Sequence, residues 1–125
     1  MSKTANLRKL VTETIRSVTG VAYHKSAPKD AAYPYTTFEL SSVAFLDSHR
    51  DDFELEVDIW DRALDPKAAE EIADQIEAKL NNANLPQDKI LPTFFREGRY
   101  NLDDPDKNLQ HIQLRFTVQL YELEE

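Results

Sequence analysis

The sequence predicts an α+β domain: an antiparallel, or mostly antiparallel, β-sheet with two α-helices packed on one face. Three observations predict it. The segments Asp51–Trp60 and Ile112–Leu120 alternate apolar and polar residues strictly. Two others, starting near Ser2 and near Asp65, repeat apolar residues at helical spacing. Both helical stripes then need a cover, and an apolar sheet face supplies it.

Ser2 or Thr4 can cap the first helix, and Leu7, Leu10, Val11, Ile15 and Val18 make its stripe. Gly20 provides the stop, since it takes left-handed backbone angles without a Cβ penalty. Val21–His24 is a short strand candidate. His24–Pro34 reads as a loop, punctuated by Pro28 and by Lys29-Asp30. A strand then opens at Tyr35, with Phe38 and Leu40 on one side and Thr37, Glu39 and Ser41 on the other. Pro34 stands at its entrance, where a missing N–H costs little. An aromatic residue before proline favours the cis bond, but trans is the base-rate expectation. A second loop carries Asp47, Ser48, His49 and Arg50.

Asp51–Trp60 is the cleanest strand. Phe53, Leu55, Val57 and Ile59 share one face; Glu54, Glu56, Asp58 and Trp60 share the other. The second helix starts with Asp65 as N-cap and Pro66 at the first helical position, with Glu70 and Glu71 near the positive end of its dipole. Ala69, Ile72, Ala73, Ile76 and Leu80 make its stripe, and Asn81-Asn82 ends it. Ile90-Leu91 and Thr93–Phe95 form a further strand interrupted by Pro92, which predicts an edge position or a bulge. Arg96–Asn108 reads as a long polar loop. In the last strand Ile112, Leu114, Phe116, Val118 and Leu120 face one way, Gln113, Arg115, Thr117 and Gln119 the other.

With 125 residues, 41% of them hydrophobic, the chain is sized for one domain over 1–125. There is no cysteine, which excludes disulfides, thiolate chemistry and cysteine-based zinc sites. A net charge of −8 argues against duplex-DNA binding and against docking on anionic lipid. The N-terminal MSKTANLRKLVTETIRSV lacks the apolar core of a signal peptide, and no run approaches the roughly 20 apolar residues of a membrane span.

Catalytic patterns are missing. His24, His49 and His111 share no ligand spacing, so surface histidine is the default and no metal is expected. Asp104-Pro105-Asp106-Lys107-Asn108 imitates a calcium loop but has Leu109 where glycine belongs and Arg115 where glutamate belongs, so it reads as a turn. With only Gly20 and Gly98 in the chain, a phosphate-cradling loop is unavailable. The expectation is a protein that is not an enzyme and carries no cofactor. What remains is the acidic sheet face. Its plain reading is a solvated surface. Its sharper reading is an interface or an acidic lining, with Trp60 as a contact residue and Arg115 among the acids.

The order of elements, with YPYTTFEL opening one strand, FELEVDIWD forming another, then KAAEEIADQIEAKL and a closing HIQLRFTVQLYE, resembles a known family. It is similar to the tail-completion or tail-to-head joining proteins of long-tailed bacteriophages and prophages, the tail-terminator group. The resemblance spans nearly the whole chain and rests on element order and the YPY and DIWD neighbourhoods. It implies a non-catalytic virion protein at the head-proximal end of the tail, assembled in the bacterial host cytoplasm. It implies a homo-oligomeric ring, a hexamer, that caps the tail tube protein, ends tube growth and meets the head connector, with DNA passing through the lumen. On that footing Arg96, Arg99, Tyr100 and Trp60 are candidate interface residues, and Glu54, Glu56 and Asp58 are candidate lumen-facing acids that keep DNA from sticking. The principal alternative is a small protein-binding module that dimerises through its sheet. A DNA mimic and a small cleft enzyme are further rivals.

Overall fold

The structure, a computed structural model, describes residues 2–45, 50–81, 85–86 and 89–122. Its elements are α1 (Lys3–Thr19), β1 (Tyr23–His24), β2 (Tyr35–Phe45), β3 (Arg50–Arg62), α2 (Lys67–Leu80), β4 (Ile90–Asn101) and β5 (Leu109–Glu122). The five strands form one sheet in the order β1-β2-β3-β5-β4. All neighbours are antiparallel except β1 and β2, which are parallel. The fold is α+β, with both helices on the same sheet face.

Local chemistry sets the helix ends. The Ser2 hydroxyl accepts from the Ala5 N–H at 3.0 Å, so Ser2 rather than Thr4 is the α1 cap. Gly20 closes α1 at φ +78°, and its N–H donates to the Arg16 carbonyl at 2.8 Å. At α2 the expected frame moves by one residue. Pro66 occupies the capping position, and Asp65 Oδ1 reaches past it to the Lys67 N–H at 2.9 Å. Proline has no side-chain acceptor, so the preceding aspartate satisfies that donor.

The two stripes and the apolar sheet face make a single cluster. Leu7, Val11 and Ile15 of α1 and Ala69, Ala73, Ile76 and Leu80 of α2 meet Leu55, Val57, Ile59, Phe94, Leu114, Phe116 and Val118 of the sheet, all buried. Val18, Leu40, Ile72 and Leu85 pack at its margin. The polar loops and the opposite sheet face are left to water.

Three expectations need correction. The segment read as a polar loop from Arg96 is still strand: β4 runs to Asn101, past a bulge between Arg96 and Gly98. The bulge adds one residue, so Arg96 and Arg99 both face the helices, and the polar sequence is that of an edge, not of a loop. Pro92 does not interrupt the strand, which runs straight through it; the edge position that Pro92 predicted holds, since β4 is the last strand of the sheet. There the Pro92 carbonyl accepts from the Leu85 N–H at 3.2 Å, so this residue's peptide groups point away from β5 and the missing N–H costs no ladder bond. Finally, the Tyr33–Pro34 bond is cis. The Val21–His24 strand is confined to two residues, and Asp47, Ser48, His49 and Asn82 lie outside the described residues.

Candidate functional site

Cross-strand pairing builds the wet sheet face row by row. Glu39 pairs with Glu56 and Ser41 with Glu54 between β2 and β3. Glu56 pairs with Arg115, Asp58 with Gln113 and Trp60 with His111 between β3 and β5. The expected acids Glu54, Glu56 and Asp58 therefore do share one face, and Arg115 does stand among them. The fold adds Glu39, whose side the β2 alternation gave but whose neighbours it did not.

A hydrogen-bonded chain crosses this face. Gln113 Nε2 donates to Glu56 Oε1 at 2.8 Å and to Asp58 Oδ1 at 3.1 Å. Arg115 Nε donates to Gln113 Oε1 at 2.9 Å. His111 Nε2 lies 2.6 Å from the same Asp58 oxygen. A carboxylate only accepts, so that imidazole nitrogen carries the proton. Glu97 receives the Thr117 hydroxyl at the β4 side. Partial burial, and then the neighbouring Asp58 charge, raise the Glu56 carboxyl above its usual value.

One end of the face is aromatic. The Trp60 and His111 rings stack with centroids 3.6 Å apart, and Tyr35 lies 6.5 Å from Trp60 on the other side. Tyr33 and Tyr23 flank Tyr35 at 5.1 and 6.2 Å. The Arg62 guanidinium sits 5.3 Å above the Tyr33 ring and donates to Asp106 Oδ2 at 2.8 Å, which holds the Asp106 carboxyl below its usual value. Trp60 is therefore a half-buried member of a row and not a free-standing anchor. Tyr35 and His111 belong to the same row, which no single segment reveals, because the row exists only once β2, β3 and β5 are paired.

The other proposed contact residues divide between the two faces. Arg99 Nη1 donates to Asp74 Oδ1 at 2.6 Å and to Glu77 Oε1 at 3.4 Å, and Arg96 Nη1 lies 3.4 Å from Glu77 Oε2. Both arginines thus tie β4 to α2 within the chain. Tyr100 is 45% exposed on the acidic face, with the Arg115 guanidinium 5.4 Å from its ring. Gly98 leaves it room, since a Cβ there would stand 2.7 Å from the Tyr100 hydroxyl.

The 102–108 segment is held by turns of its own. Asp104 Oδ1 accepts from the Asp106 N–H and Asp106 Oδ1 from the Asn108 N–H, each at 2.9 Å. Beside it lies an open cleft of about 440 Å³ lined by Pro66, Leu102, Asp103, Lys107 and His111 among others. Among the described residues no group of three or more His, Cys, Asp or Glu side chains is placed to hold a metal ion. No described helix is long and apolar enough to cross a membrane.

The fold recurs in solved structures. One, from the virion of a native gene transfer agent particle, superposes with a TM-score of 0.70 at 11% identity, over 89% of this chain and 91% of that one. Another superposes with a TM-score of 0.69 at 12% identity, over 100% of this chain and 99% of the other. No curated protein matches the chain in sequence. Residues 4–121 match the family described as tail completion protein gp17, and the chain belongs to that family.

Proposed function

We propose that this tail completion protein, a structural component of the virion tail, forms a six-membered ring on the end of the tail tube. The ring stops tube polymerisation and presents the surface that meets the head connector. A single observation carries the reading: the sheet is open, and its two edges differ. One is β2 with only the two-residue β1 beside it; the other is the twelve-residue β4. Unlike edges favour head-to-tail contacts, and such contacts close into rings when the rotation allows. The helices seal one face, so the acidic face with Glu39, Glu54, Glu56 and Asp58 is free to line a lumen. Acids there repel the DNA backbone and let it pass. Tyr100, Trp60 and the outer parts of Arg96 and Arg99 border the surfaces left for neighbours or for the tube. Family membership and the likeness to a protein of a gene transfer agent virion support this role.

The test is electron microscopy of the concentrated protein, alone and with tail tubes. Rings, and rings seated on tube ends, are the expected result. A dimer at every concentration with no affinity for tubes overturns the proposal. A second test targets the lumen: Glu54→Lys, Glu56→Lys and Asp58→Lys together should depress infectivity in particles whose rings are seen to form by microscopy. Undiminished infectivity removes the lumen assignment.

A further inference from the structure

We infer that neighbouring copies join edge to edge, β2 of one against β4 of the next, with Leu40 opposite Arg96 and Ser42 opposite Phe94 of the second copy. The inference takes the ring as its frame and names the contact that builds it.

Among the described residues the β2 edge is bare over a definite stretch. β1 covers only Thr37 and Phe38, whereas β2 continues to Phe45. The Lys25 N–H donates to the Phe38 carbonyl at 2.8 Å, so the Phe38 peptide groups point outward at this edge. Peptide groups alternate along a strand, so those of Leu40 and Ser42 point outward too. They have no backbone partner among the described residues. Edges that must stay unpaired are blunted with charge or proline. Leu40–Phe45 (LSSVAF) carries neither, and Val43 is 64% exposed.

β4 offers the complement. The Pro92 carbonyl points outward to Leu85, so by the same alternation the peptide groups of Phe94 and Arg96 point outward, again without a backbone partner among the described residues. Pro92 and the bulge after Arg96 bound this stretch on either side.

Register and direction then match. Leu40, Leu55, Phe116 and Arg96 form one row across the sheet, and Ser42, Phe53, Val118 and Phe94 form the next. The two bare stretches therefore sit on the same two rows at opposite sides. β2 and β5 run one way, β3 and β4 the other. A copy rotated about an axis along the strands keeps its direction, so its β4 meets β2 antiparallel. Each of the two residue pairs exchanges two N–H···O bonds, and the alternation of strands passes unbroken through the joint. The helices stay on one side of the joined sheets and the acids on the other. A second copy fits this edge because the chain itself carries the matching half.

The chain has no cysteine, so paired cysteines report the contact cleanly. Ser41 and Phe95 are exposed on the acidic face and, in the proposed register, stand opposite each other between the two rows. The experiment is mild oxidation of concentrated Ser41→Cys/Phe95→Cys protein, read on non-reducing gels and by microscopy of the same sample. Each single variant and a His24→Cys/Phe95→Cys pair serve as controls, with circular dichroism to confirm the fold. The expected result is rings together with a covalent ladder at least tenfold stronger than in any control. Rings without the ladder overturn the edge pairing and leave the ring standing. A ladder without rings supports the pairing and removes the ring. A covalent dimer from Ser41→Cys alone indicates β2 against β2 and overturns the pairing. Neither rings nor ladder overturns both.

Discussion

Asp58 of β3 and His111 of β5 are joined across the acidic face at 2.6 Å, and the same imidazole lies flat against Trp60. Two weak effects, a charge-assisted hydrogen bond and a ring stack, act on one side chain. Replacing His111 by Ala removes both, with an expected loss of about 1–3 kcal/mol. His111→Phe keeps the stack and leaves Asp58 with Gln113, so it should fall between wild type and Ala. Urea unfolding followed by the fluorescence of Trp60, the single tryptophan, measures both variants. Equal stability of the Ala variant and the wild type would show the pair to be idle.

Glu56 gives a pH signature. Its carboxyl titrates above the ordinary value of 4.5, mainly because of burial and then because of Asp58. The folded state therefore holds this proton to higher pH than the unfolded chain does, and stability falls as pH rises through that window. Glu56→Gln removes this loss while keeping an acceptor for Gln113. It should stabilise the fold at pH 7 by a few tenths of a kcal/mol, since solvent screens this partly open face. The gain should vanish below about pH 4, where the wild-type residue is protonated in both states. Urea midpoints at the two pH values decide it; a gain that persists at low pH contradicts the assignment.

Arg99 tests whether β4 depends on α2. Its fork reaches Asp74 Oδ1, Glu77 Oε1 and, at 3.4 Å, the Glu70 carbonyl. Arg99→Ala should cost about 1–2 kcal/mol, and Arg99→Lys less, because an ammonium keeps the positive charge beside Asp74 and Glu77 although it cannot span several acceptors in a fixed plane. Thermal unfolding of the pair measures it. A lysine variant as weak as the alanine variant would mean that the planar fork is the essential feature.

Phe116 lies at the centre of the core, fully buried between Leu55 and the β4 row. Phe116→Ala should cost about 3–5 kcal/mol, the transfer of a ring plus the cavity that it leaves. Phe116→Leu should cost far less. Chemical denaturation provides the values, and a loss under 1 kcal/mol for Ala would place the side chain outside the core.

Local patterning along the chain is enough to say which residues lie inside. Strict alternation in β3 and β5 and helical spacing in α1 and α2 assign most of the buried apolar side chains to one layer, because burying that surface dominates the free energy of folding. The same alternation put Glu54, Glu56, Asp58 and Trp60 together on the wet face, since neighbours on one strand are fixed by the pleat. Apart from Arg115, their neighbours on adjacent strands follow from the paired fold. Pairing across strands is non-local, so the Trp60–His111 stack, the Gln113 bridge and the Glu39–Glu56 contact have no trace in any single segment. It also decided the course of β4, where a polar sequence is strand because β5 pairs with it, and where one bulge turns Arg99 toward α2. The bare rows of β2 and β4 belong to that second class: a strand's peptide groups are free or paired only with respect to a neighbour, and the neighbour comes from the fold.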